Sequence, residues 1–136
     1  MKIRAYKDTD KDAVISLWNE RGLATSRNDP ARDIELKMRV DPDLFLVGVI
    51  ETELVTTVMA GYEGHRGWIN YLAVALSQRS NGYGREIMLH AERLLQAKGC
   101  PKVNLQVRTS NKAVIEFYNT LGYSDDDVVS LGKRFK

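Results

Sequence analysis

The chain has 136 residues, 20 of them Lys or Arg and 18 Asp or Glu, for a formal net charge of +2. With 43% apolar and 28% charged residues, the composition is that of one globular domain spanning 1–136 with an ordinary core. It argues against wholesale disorder and against a nucleic-acid binder with a dense basic face. Cys100 is the only cysteine, so neither an intrachain disulfide nor a cysteine metal cluster can form.

The opening residues, Met1 to Asp8, lack the apolar run of a signal peptide. No later stretch approaches the roughly 18 uninterrupted apolar residues of a membrane helix, so a cytoplasmic protein with no membrane partner is expected. Ile3-Arg4-Ala5-Tyr6 alternates as a short strand. Asp10 is placed to cap a helix whose apolar residues Ala13, Val14, Leu17 and Trp18 recur at helical spacing, with Gly22 as the stop. Asp29-Pro30 reads as an N-cap followed by proline in the first turn, opening a helix that carries Ile34 and Met38 towards Asp41-Pro42.

Three strands follow as an antiparallel meander: Leu44 to Ile50, Leu54 to Tyr62 and Trp68 to Val74, with turns at Glu51-Thr52-Glu53 and around Gly64. The pattern then changes to helix over Gly84 to Ala97, strand at Val103, Leu105 and Val107, and helix from Asn111 to Gly122. Val128 to Phe135 reads as a last strand. Two β–α units after a meander imply an α/β (α+β) domain with a mixed sheet.

Two stretches carry chemistry. In Leu72-Ala73-Val74-Ala75-Leu76-Ser77-Gln78-Arg79-Ser80-Asn81-Gly82-Tyr83-Gly84-Arg85, a buried strand leads through a basic, glycine-bearing loop into a helix. Glycines let backbone approach a ligand closely, and the helix start offers unpaired N–H groups and a positive dipole end, together an anion site suited to a pyrophosphate. An ordinary strand–helix turn would read similarly, but the spacing is neither a P-loop nor a dinucleotide-binding fingerprint. The second stretch is Leu105-Gln106-Val107-Arg108-Thr109-Ser110-Asn111, followed by Tyr118 and Leu121-Gly122-Tyr123. Asn111 reads as a helix cap and Tyr118 as a half-buried aromatic.

Arg79-Ser80-Asn81-Gly82-Tyr83-Gly84 resembles the Arg/Gln-x-x-Gly-x-Gly/Ala signature of the GCN5-related N-acetyltransferase (GNAT) family. Asn111, Tyr118 and the Leu-Gly-Tyr corner resemble its second hallmark, in the same order and spacing. Asn28-Asp29-Pro30, Asp33-Ile34 and Ser130-Leu131-Gly132-Lys133-Arg134 are similar to its small bacterial YpeA-like members. The resemblance implies a mixed, twisted sheet of six or seven strands flanked by about four helices. It also implies acetyl-CoA as co-substrate, and acetyl transfer to a primary amine of a small molecule or protein by direct attack. By the same resemblance the backbones of Leu72 and Val74 would pair with the pantetheine arm. The segment Arg79, Ser80, Asn81, Gly82, Tyr83 and Gly84, with Arg85, would hold the pyrophosphate. Asn111 would bind the arm by its side chain, and Tyr118 would act as general acid on the departing thiolate.

Gln106 departs from family members that carry glutamate there, and an amide cannot accept a proton at neutral pH. Deprotonation of the amine is therefore expected through water held by Asn70, Gln106 and Tyr62, or through Glu63 or Glu35. A non-catalytic acetyl-CoA-binding sensor module is the alternative, and a structural protein without cofactor the third. His65 reads as a turn residue, His90 as helix surface or packing, and Asp125-Asp126-Asp127 as a solvated turn, so no metal site is expected. The assembly is expected to be a monomer or homodimer. Charge divides along the chain: residues 1–68 carry 10 basic and 12 acidic side chains (net −2), residues 69–136 carry 10 and 6 (net +4). The motifs for a polyanionic donor lie in the basic half, and Asp29, Asp33 and Glu35 lie in the acidic one.

Overall fold

The computed structural model describes residues 1–135. Met1–Gln106 forms one compact unit and the chain from Val107 onward a second. The first unit is built on a five-stranded sheet in the order β1 (Lys2–Ala5), β2 (Phe45–Ile50), β3 (Glu53–Tyr62), β4 (Gly67–Val74) and β5 (Val103–Leu105). Neighbours run antiparallel up to β4, while β5 lies parallel to β4. The parallel step is made through the helix α3 (Tyr83–Ala97), as parallel neighbours require a long crossover.

Helices α1 (Lys11–Glu20) and α2 (Pro30–Lys37) precede the meander. In α1 the residues Val14, Leu17 and Trp18 are buried, the i, i+3, i+4 stripe of an amphipathic helix. In α2 the Asp29 carboxylate accepts Arg32 N–H at 3.2 Å, and Pro30 opens the first turn. In α3 the stripe is Gly84, Ile87, Met88, Ala91 and Leu95, and this helix packs on β2, β3 and β4. Along β2, Phe45 and Val47 enter the cluster that includes Val14, Trp18 and Ile34, while Leu46 between them is buried outside it. Alternation on the pleat thus puts apolar side chains on both faces of this strand.

Rings organise that cluster. Tyr6 stacks on Phe45 at 4.5 Å, and fully buried Trp18 stacks on Tyr71 at 3.8 Å with 17° between planes. The Trp18 Nε1–H donates to Thr57 Oγ1 at 2.9 Å, so its one polar atom is satisfied in the core.

Asp10 does not cap α1. Its carboxylate takes two hydrogen bonds from the Arg4 guanidinium, at 2.7 and 2.9 Å, and one from Lys7 N–H at 2.9 Å. Its backbone is already helical (φ −87°, ψ −9°), because a 3-10 turn over Asp8–Asp10 runs straight into α1; a capping residue needs extended backbone. The Arg4 hydrogen bonds hold the Asp10 carboxyl below the usual carboxylate range.

The described residues contain five strands, fewer than the expected six or seven. β5 ends at Leu105, before Val107, and no strand forms over Val128 to Phe135. The second unit has one helix, α4 (Lys112–Thr120), and beyond it Val128, Val129, Leu131 and Phe135 are exposed, Phe135 at 90%. β-Branched and apolar content raises strand propensity, but a strand also needs a partner edge for its N–H and C=O groups.

Candidate active site

The first half of the candidate site is the end of β4. β5 pairs with β4 only at Gly67, Trp68 and Ile69. From Asn70 to Val74, the edge of β4 on the β5 side is paired with no strand among the described residues. On its other edge the register with β3 shifts: Thr57 faces Ala73 but Met59 faces Asn70, so Tyr71 and Leu72 together oppose Val58. Tyr71 sits at this bulge with a left-handed backbone, φ 53°. Bulges bend a strand and re-aim a side chain, and they cluster beside active sites. Leu72 and Val74 are both half-buried, and their backbones lie on the open edge.

The strand then passes through Ala75 and a 3-10 turn, Leu76–Gln78, into the basic loop. Ser80 (φ 67°) and Gly82 (φ 80°) both turn left-handed, and α3 begins at Tyr83. Gly82 suits this conformation because it lacks a Cβ. No side chain caps α3; its first intrahelical bond is Glu86 N–H to Gly82 O at 3.0 Å. The amides of Tyr83, Gly84 and Arg85 therefore stand at a positive helix end without helix acceptors. Arg79, Ser80, Asn81, Gly82 and Arg85 are exposed and Gly84 is buried. The Asn81 carboxamide donates to Gln78 Oε1 at 3.1 Å, which closes the loop on itself. The turn offers uncapped amides and two guanidinium groups, as a pyrophosphate requires.

The second unit holds the other motif. Asn111 occupies the N-cap position of α4, but its side chain makes no capping bond, contrary to the sequence expectation. Its backbone (φ −89°, ψ 70°) instead closes a turn, with Asn111 N–H donating to Arg108 O at 2.8 Å. Tyr118 is buried between Phe117 and Tyr123, both edge-on at 5.2 and 5.7 Å. Desolvation pushes its hydroxyl up to about 12.

The residues expected to handle the acceptor are dispersed. Tyr62 pairs with Gly67 at the far end of the β3–β4 hairpin. Seven residues separate that level from Val74, roughly 23 Å of strand. Glu63 caps the hairpin turn, accepting His65 N–H at 2.6 Å and Arg66 N–H; the latter bond, foremost, holds its carboxyl below the usual range. Glu35 is engaged by Arg32 at 2.8 Å and Arg39 at 2.7 Å. Asn70 and Gln106 are exposed, and Trp68 is 40% exposed. Cys100 and His90 take no part in a ligand set, and no group of metal-binding side chains occurs among the described residues.

One constellation escaped the sequence reading. The Tyr71 hydroxyl donates to Asp33 Oδ2 at 2.6 Å, and it accepts a hydrogen bond from the Asn28 carboxamide, which also donates to Leu23 O at 2.8 Å. Burial, then the bond to Asp33, pushes the Tyr71 hydroxyl up to about 12. One turn further along the same side, Lys37 of α2 donates to Ala60 O of β3, and burial draws its ammonium pKa down. Helix α2 is thus tied to the sheet by polar side chains at two levels.

Residues 10–123 match the acetyltransferase (GNAT) family. An acetyltransferase of Pectobacterium atrosepticum is 46% identical over 134 residues, 98% of this chain and 95% of its own length. One of Yersinia enterocolitica is 43% identical over the same shares. Among solved structures, AAC(6')-Iy in complex with a bisubstrate analogue, CoA-S-monomethyl-acetylneamine, superposes with a TM-score of 0.79 at 16% identity, covering 99% of this chain and 98% of that one. No helix among the described residues is long and apolar enough to cross a membrane. With matches of that extent to full-length bacterial relatives, the chain belongs to the acetyltransferase (GNAT) family of acyltransferases.

Proposed function

We propose that the chain moves the acetyl group of acetyl-CoA to a primary amine of a small molecule or protein, by direct attack of the amine on the thioester. The observation that carries this reading is the continuous run from Asn70 to Arg85: an open strand edge that leads into an uncapped helix start. Acetyl-CoA supplies the activated acyl group; the protein supplies binding, orientation and proton handling. The backbones of Leu72 and Val74 pair with the pantetheine arm, and backbone N–H at the bulge supports charge developing on the carbonyl oxygen. The amides of residues 79–84, with Arg79 and Arg85, hold the pyrophosphate.

Asn111, its side chain not used as a cap, binds the arm. Tyr118 serves the departing sulfur. At about 12 its hydroxyl stays protonated at neutral pH. Full transfer to a thiolate of ordinary pKa near 8.5 is uphill, so most of its contribution is a donated hydrogen bond. Glu63 and Glu35 are engaged in a turn and in ion pairs, and Tyr62 lies at the far end of the hairpin, so water beside exposed Asn70 carries off the proton of the amine.

Acetyl-CoA at 100 times its dissociation constant is expected to stabilise the fold by about 2.7 kcal/mol. Thiol release across a panel of amines then measures turnover, and Tyr118→Phe is expected to slow it by about 100-fold. Stabilisation without thiol release from any amine would identify a sensor module instead, and no stabilisation by acetyl-CoA would refute donor binding altogether.

A further inference from the structure

We propose that Asp33 is the residue that receives the ammonium group of the acceptor, with Tyr71 and Asn28 as positioning residues that fix its carboxylate; this rests on the acetyl-transfer reading above. Two independent features meet at this point of the fold. One is the open edge of β4, whose first residues beyond β5 are Asn70, Tyr71 and Leu72. The other is a half-buried carboxylate with no cationic partner among the described residues, bonded instead to a neutral hydroxyl at 2.6 Å.

The chemistry of that carboxylate is specific. An aspartate has about four acceptor positions, and the Tyr71 hydroxyl fills one of them. Asn28 donates to the same hydroxyl, so the hydroxyl hydrogen is directed at Asp33. The Tyr71 ring is clamped on Trp18 at 3.8 Å, which fixes where the hydroxyl stands. Backbone N–H of Asp33 bonds to Asp29 O at 2.8 Å inside α2, so the helix turn is fixed as well. The carboxylate is thereby held beside the bulge with acceptor capacity left over, and Asp29 adds negative charge nearby. A charge-assisted hydrogen bond from a ligand ammonium completes such a group.

The other acidic candidates do not meet these conditions. Glu63 lies beyond the level of Gly67, four residues or roughly 13 Å of strand from Tyr71, and is used by its turn. Glu35 is neutralised by Arg32 and Arg39. The acceptor class is therefore a primary amine bound as its cation, with recognition centred on the charged nitrogen. The −2 half of the chain supplies the amine side through one residue.

The test uses the full chain, with an alkylamine, a polyamine, an unblocked tripeptide and an aminoglycoside as probes, and the matching alcohols as neutral competitors. Asp33→Asn keeps an oxygen for the Tyr71 hydroxyl and removes the charge. It is expected to raise KM for the accepted amine by about tenfold or more, to change kcat by much less, and to leave the acetyl-CoA thermal shift intact. It should also abolish the preference for the amine over its alcohol, and Asp33→Glu should restore part of that preference; a purely structural Asp33 would not alter it. Tyr71→Phe is expected to raise KM in the same direction by a smaller factor. An unchanged KM in Asp33→Asn overturns the proposal, as does acetyl-CoA binding by the wild type with no turnover of any cationic probe. Absence of an acetyl-CoA thermal shift in the wild type overturns the acetyl-transfer reading itself, and this inference with it.

Discussion

The strand–helix turn at residues 75–85 and the ground between α1, α2 and β4 are built in opposite ways, although both meet at the end of one strand. The turn is nearly all backbone: exposed side chains, two left-handed residues, and a helix start with no cap. The α1–α2 side is nearly all side chain: Trp18 stacked on Tyr71, Tyr71 bonded to Asp33, Asn28 bonded to Tyr71. Backbone amides recognise an anion that is the same in every reaction cycle. Side chains at fixed distances discriminate among partners. On the proposed reading, the donor end works through backbone geometry, whereas the acceptor end depends on particular side-chain atoms.

That contrast breaks first at Trp18. Trp18→Ala empties the centre of the α1 side and is expected to cost about 3–5 kcal/mol, read as a lowered denaturant midpoint. The alkaline limb separates the two units. Tyr118 is pushed up to about 12, from an ordinary tyrosine value of 10.0. A raised native pKa means the native state holds its proton longer, so this stability is complete below pH 10 and lost as pH rises towards 12. Tyr118→Phe is expected to remove roughly 2 kcal/mol of that loss, and Tyr71, also at about 12, to account for part of the remainder. Chemical denaturation at pH 9 and pH 11.5 measures both; identical slopes in wild type and Tyr118→Phe would count against a buried neutral hydroxyl.

Asp10→Asn breaks the Arg4 clamp at the entry to α1 and is expected to cost about 2 kcal/mol at neutral pH. The native Asp10 carboxyl is depressed, so its contribution holds above the unfolded carboxylate pKa and is lost as pH falls; acid titration of the variant should be correspondingly flatter. Smallest in stability is Gly82→Ala. Nothing lies within 4 Å of an added Cβ, so only the left-handed φ of 80° is penalised, at about 1 kcal/mol. If the turn works through its backbone, that change should nonetheless weaken acetyl-CoA binding severalfold in calorimetric titration; an unchanged affinity would place donor recognition in the arginines instead.

What could be read from the sequence follows the same division. The donor turn is contiguous, so its glycines, arginines and helix start are visible side by side. α1, α2 and α3 are legible from their apolar spacing, and Asp29-Pro30 marks the start of α2 correctly. The acceptor constellation is not legible, because Trp18, Asn28, Asp33 and Tyr71 lie up to 53 positions apart along the chain and meet only through the bulge. Ile69-Asn70-Tyr71-Leu72-Ala73 reads as plain alternation, and nothing in it announces a left-handed tyrosine. Asp10 and Asn111 are sound capping residues by type, yet one is claimed by Arg4 and the other closes a turn. The Val128 to Phe135 segment has the composition of a strand, yet no strand forms there.

Gly67, where β4 receives β5, has a consequence for how this enzyme can be studied. A Cβ there would stand 2.8 Å from Cys100 Sγ and 3.3 Å from both Leu95 Cδ1 and Val103 Cγ2. The sulfur is packed against bare backbone, and its hydrogen is directed to Lys102 O at 3.3 Å. The chain's single sulfhydryl is 9% exposed in a packed corner, where reagents gain full access when the fold opens. A colorimetric thiol reagent added to the folded enzyme therefore sees coenzyme released by turnover against a slow background. In the absence of substrate, the slow appearance of colour becomes a clock for the opening of that corner.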